Sequence, residues 1–178
     1  MPKLPTRLVL TALAVGAVAL TAFVTQSSST AVGAAATPQD GSVAVIRQMT
    51  AKYHDIDVAL ADGYVRASEC TASPDGGMGV HYMNPRLARQ PVDLRHPAIL
   101  LYRPTADGQQ LLGVEYFKPD ADQDLGTDSD RPSLLGHGFD GPMPGHNPMM
   151  PIHYDLHVWV WHNNPSGMFT QWNPTVSC

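Results

Sequence analysis

The stretch that decides the fold is His153-Tyr154-Asp155-Leu156-His157-Val158-Trp159-Val160-Trp161. Polar or indole-bearing side chains alternate with apolar ones, a period of two that belongs to a half-buried strand. As a strand it presents His153, Asp155, His157, Trp159 and Trp161 on one face, and Tyr154, Leu156, Val158 and Val160 on the other. Two histidines four residues apart share one face of a helix and can chelate one ion there. On a strand they stand about 13 Å apart, too far for one ion, whereas residues two apart, at about 6.6 Å, can converge. Asp155 can therefore act with either histidine, and further ligands have to come from neighbouring strands.

Working outward, residues 79–83, 98–102 and 110–117 form short runs rich in β-branched, leucine or aromatic residues, and 168–172 reads as a further strand. Asp107-Gly108 supplies the positive φ of a tight turn between two of them. Upstream, Val43, Ile46, Met49, Thr50, Tyr53 and Ile56 recur at three- and four-residue steps, with Asp40 or Ser42 as N-cap. Residues 57–64 continue that helix or follow it, and Gly63 supplies its stop. One helix ahead of a run of strands predicts an α+β fold, an N-terminal amphipathic helix packed on a mainly antiparallel curved sheet.

Composition bounds the function. The chain has 178 residues with 11 Lys+Arg against 16 Asp+Glu, a net charge of -5 and no dense basic run. A nucleic-acid binder needs a concentrated basic face, so that class is excluded. With 43% hydrophobic and 15% charged residues, the chain can bury a core and is not a disordered tail. At the N-terminus Lys3 and Arg7 precede an apolar run from Leu8 to Val24, then a polar stretch and Ala34-Ala35-Ala36. That order predicts a signal peptide over 1–36, cleaved near Ala36, and a single mature domain over 37–178 with no stable membrane span, secreted or in the cell envelope. An uncleaved anchor is the alternative, the apolar run being at the lower edge of bilayer-spanning length. Export places Cys70 and Cys178 in an oxidising compartment, where they are expected to form a disulfide.

The segment 118–151 is too long and too rich in Pro and Gly for an ordinary connection, and reads as a long loop, lid or pocket rim. Its alternating Asp120, Asp122, Asp124, Asp128 and Asp130 resemble half a calcium loop. The EF-hand pattern fails, because Leu125 stands where the turn needs Gly and Arg131 where a bidentate Glu is needed.

Polar residues set in the apolar strands define the candidate site. His81 and Glu115 each sit in the middle of such a run, and burying either unpaired is costly. With His153 and His157 they form the expected metal-ligand set, with His146 and Asp155 as further candidates and Tyr82, Trp159 and Trp161 as pocket walls. Imidazole and carboxylate suit zinc or copper, and Met143, Met149 and Met150 near His146 add thioethers that suit Cu(I). The leading expectation is a small exported binding domain for a transition metal or small polar ligand. A metal-dependent enzyme with Glu115 or Asp155 as general base is the alternative, as is a structural envelope protein with no small ligand. The same groups can also satisfy one another by hydrogen bonds without metal. No Gly-x-Ser-x-Gly elbow is present, and Gly76-Gly77-Met78-Gly79 precedes a strand where a phosphate loop precedes a helix.

The stretches 76–85, 113–124, 131–146 and 153–178, with His162-Asn163-Asn164-Pro165-Ser166-Gly167 and Trp172-Asn173-Pro174, resemble a family of uncharacterised exported bacterial proteins. The likeness spans nearly the whole mature chain. It implies one exported domain and carries no activity, ligand or site residue.

Overall fold

Strong alternation in four strands builds two unlike faces of one sheet. The computed structural model describes residues 1–2, 38–146 and 149–178, and Ala35–Cys178 forms one unit. The signal peptide expected over 1–36 and its cleavage near Ala36 lie, residues 1 and 2 aside, outside the described residues. Among those described, no helix is long and apolar enough to cross a membrane.

Helix α1 (Pro38–Thr50) runs into a 3-10 turn (Ala51–His54) and a short α2 (Ile56–Ala61), whose N-cap Asp55 accepts a bond from the amide of Asp57. The strands are β1 (Val65–Arg66), β2 (Thr71–Ser73), β3 (Gly76–Met83), β4 (Ile99–Thr105), β5 (Gly108–Pro119), β6 (Ser133–Leu134), β7 (His137–Gly138), β8 (Asp140–Met143) and β9 (His153–Val158). The main sheet is ordered β1-β3-β4-β5-β9-β8, with β2 also on β3, and every pairing is antiparallel. Strands β6 and β7 form a small ladder of their own.

One face buries Val80 and Tyr82 of β3, Leu100 and Tyr102 of β4, Val114 and Tyr116 of β5, and Leu156 and Val158 of β9 against Val43 and Ile46 of α1 and Tyr53 and Ala59 beyond it. Two of the buried tyrosines have their hydroxyls satisfied: Tyr102 donates to the Tyr53 carbonyl at 2.6 Å and Tyr116 to Leu94 at 2.8 Å. Burial raises both phenols well above their ordinary range, so they stay neutral donors. The other face carries His81, Ile99, Leu101, Glu115, Phe117, Asp155 and His157. Ala88, Trp159 and Val176 pack against its apolar members. Gly113 lets β9 come close to β5, since a Cβ there would stand 2.5 Å from the Val158 carbonyl oxygen.

Three expectations are corrected by this arrangement. Tyr82, next to His81 on β3, necessarily points to the helix face, where it packs edge-on to Tyr102 at 5.2 Å. Trp161 also leaves the site face, because β9 ends at Val158. Its indole donates to Thr50 Oγ1 at 3.1 Å and meets His54 edge-on at 4.4 Å. Residues 168–172 form no strand. The Asn164 amide bonds both Thr170 Oγ1 and the Trp172 carbonyl, gathering the segment into turns.

The segment 118–151 contains β6, β7 and β8, the last paired to β9 at the sheet edge. Its carboxylates are engaged locally. The amide of Asp124 donates to Asp120 and Asp122, Thr127 donates to Asp122, and Lys118 pairs with Asp130 at 2.8 Å. The disulfide joins Cys70 to Cys178 across 108 residues, with their Cα atoms 5.5 Å apart. Such a bond belongs to an oxidising compartment.

Candidate metal centre

Register brings the site together. Glu115 on β5 pairs directly with Ile99 on β4 and with His157 on β9, while His81 on β3 is opposite Leu101. All lie on the face away from the helices. Long side chains close the remaining gap: His81 Nε2 is 3.2 Å and His157 Nε2 3.5 Å from the same atom, Glu115 Oε2. Two ligands of one tetrahedral zinc are separated by about 3.4 Å. These ligand atoms of His81, Glu115 and His157 all lie within 4.8 Å of one another, and all three residues are buried.

Hydrogen bonding holds the triad from its outer side. Ser68 has one hydroxyl proton, which it gives to the Glu69 carbonyl at 2.7 Å. The same hydroxyl oxygen accepts from the amide of His81, at 3.0 Å, and is hydrogen-bonded to Nδ1 of the same ring, at 2.9 Å. With Nδ1 held by Ser68, the ring presents Nε2 to Glu115 Oε2. Glu115 Oε2 and His157 Nε2 are buried and make no hydrogen bond. A cation, whether a proton on an imidazole or a metal ion, reconciles the buried carboxylate with its surroundings.

Behind His157 stands Asp155. Its Oδ1 lies 3.5 Å from His157 Nδ1 and its Oδ2 3.8 Å from His153 Nε2. Burial opposes charge on both Glu115 and His157, yet their mutual attraction prevails. The Glu115 carboxyl is drawn below its usual range by His157 and His81, and the His157 imidazole is raised by Glu115 and Asp155. Burial pushes His153 down, against the bond between its Nδ1 and the Pro151 carbonyl at 3.1 Å, so that ring is neutral.

The structure therefore sorts the expected ligands. His81, Glu115 and His157 converge. His153 stands apart, tilted over Phe117 at 4.9 Å and edge-on to His146 at 5.6 Å. Asp155 lies between the two groups, and Trp159 is stacked beside His157 at 6.3 Å. Of the thioethers, Met143 accepts from the Gln171 amide at 3.9 Å, and Met149 and Met150 line a cavity instead of joining the triad. That cavity, about 400 Å³, has His81 and Glu115 in its wall; His157 does not reach it.

No protein-family model, curated protein or solved structure matches this chain.

The site thus stands on its own chemistry. Two imidazoles, neutral once an ion has displaced the proton on His157, and a carboxylate are a donor set used by zinc and by non-haem iron, with further coordination positions left for water or a ligand. Sequence pattern alone misses Ser68, which carries no strand signal and is placed only by the β1–β3 corner next to Cys70. It also misses Arg89, which reaches the cavity from the 3-10 helix Leu87–Arg89.

Proposed function

We propose that this protein is a small exported metal-binding domain, in which His81 Nε2, Glu115 Oε2 and His157 Nε2 hold one divalent transition metal ion, zinc being the ion that suits them best. The observation that carries the reading is the convergence of two imidazole nitrogens on one buried, hydrogen-bond-free carboxylate oxygen, at 3.2 and 3.5 Å. Ser68 on His81 and Asp155 beside His157 occupy the outer positions that orient imidazole ligands in metal sites. The Cys70–Cys178 bond and the leader-like N-terminus support export, and the resemblance to exported bacterial proteins points the same way.

Elemental analysis of the untagged protein, as purified and after chelation and reloading with zinc, tests the reading. The expected result is one equivalent of metal, absent from a His81→Ala/His157→Ala variant that keeps its disulfide and its circular dichroism. Failure of the wild type to take up zinc, iron or copper would leave an ion-paired pocket and overturn it.

A second reading is a metal-dependent enzyme. The cavity beside His81 and Glu115 favours it, since a bound ion would be approachable from that side by water and a small substrate. Asp155, behind His157, is better placed to orient that imidazole than to act as a general base on such a substrate.

A further inference from the structure

We propose that the cavity beside His81 and Glu115 is a ligand pocket for a small apolar monocarboxylate, whose carboxylate takes an open position on the metal while its hydrocarbon part lies along the cavity wall. The inference rests on the metal reading above and adds the class of ligand.

Size and lining come first. About 400 Å³ lies within the range of small-molecule sites. The wall is mainly apolar, with Met83, Ile99, Phe117 and Met150 contributing, while His81 and Glu115 are shared with the metal triad. A strongly hydrated anion such as phosphate gains nothing from such a wall, whereas a hydrocarbon tail does.

Charge then selects the head group. Among the described residues Glu115 is the one carboxylate in the wall, and on a divalent ion with two neutral imidazoles it leaves a net positive centre. Arg89 also lines the cavity and has no hydrogen-bond or ion-pair partner among the described residues. Metal and guanidinium thus add a positive potential to a wall of low polarity, which attracts an anion and repels an amine. The ion is approached from the His81 and Glu115 side because His157 lies outside the cavity wall, beside Trp159.

Calorimetric titration of the zinc-loaded and the chelated full chain with octanoate, acetate and octylamine tests this. Octanoate is expected to bind the zinc form at least about tenfold more tightly than acetate, and more tightly than octylamine, with the difference lost in the chelated protein. Ala67→Trp, at an exposed position on the cavity wall, is expected to weaken octanoate about tenfold or more while zinc stoichiometry is kept, and Arg89→Gln to weaken it severalfold. Equal binding of octanoate and acetate, equal binding to the chelated protein, or indifference to both substitutions would overturn the inference while leaving the metal centre intact. Failure to take up zinc would overturn the metal reading and this inference together.

Discussion

Glu115 of β5 and His157 of β9 are direct cross-strand partners, and their side chains meet on the face away from the helices with Oε2 3.5 Å from Nε2. Neither atom makes a hydrogen bond, though both are buried. Conservative substitution should therefore separate charge from shape. Glu115→Gln keeps the volume but loses the anion, and is expected to abolish stoichiometric zinc uptake while the protein still folds. Thermal melts with and without zinc should show the ion raising the wild-type midpoint and leaving that of Glu115→Gln unchanged.

Residues one step out should have graded effects. Asp155→Asn leaves His157 without its carboxylate neighbour, and Ser68→Ala removes the hydroxyl that holds the His81 ring through Nδ1. Each is expected to weaken zinc by about 10–100-fold without changing the stoichiometry. Competition with a chromophoric chelator measures this, and an unchanged affinity in both variants would contradict the orientation argument.

Gly113 tests the β5–β9 contact. A methyl group there would press on the Val158 carbonyl oxygen at 2.5 Å and on Trp159 Cα at 3.2 Å, backbone atoms that cannot swing away. Gly113→Ala is expected to cost about 1–3 kcal/mol in urea unfolding and to weaken zinc, because the displaced strand carries His157.

The disulfide should matter to both fold and site. Opening a loop of 108 residues is expected to cost about 4–5 kcal/mol in the chain-entropy account. Cys70 lies two residues beyond Ser68, so the Cys70→Ser/Cys178→Ser variant should also hold zinc less tightly. Chemical denaturation with and without zinc separates the two effects.

Acid stability should report on the segment after β5. Lys118 donates to Asp130 and, outweighing the cost of burial, holds its carboxyl at about 2. The folded value lies below the unfolded one of about 3.9, so this pair stabilises the protein fully above that pH and the contribution fades as pH falls through 2. Lys118→Met is expected to raise the Asp130 value toward 3.9 and to flatten the dependence of the urea midpoint on pH between 5 and 2. An unchanged slope would show that the pair contributes nothing.

How much of the site was legible follows from which interactions are local. Alternation in 153–158 is a property of consecutive residues, and it separates Asp155 and His157 from Leu156 and Val158 before any partner strand is known. A polar residue in the middle of an apolar run flags His81 and Glu115 for the same reason. The end of β9 was not legible: Val160 and Trp161 continue the pattern, but the backbone turns after Val158, where the Val160 amide bonds the Val158 carbonyl two residues back. Likewise 168–172 has strand-like composition and is gathered into turns by the Asn164 side chain and by the Trp159 amide and indole, interactions that no periodicity records.

By itself, then, the sequence determined which side chains share a face over residues 153–158 and that its two cysteines are the pair available for a bridge. Only the tertiary structure decided that β9 lies beside β5 with Glu115 opposite His157, that β3 lies beyond β4 with His81 in reach, and that His153 remains outside the cluster. The reason is physical. Face alternation follows from the geometry of each residue's own backbone, whereas strand order and register are set by burying two whole faces at once, among residues far apart in the chain.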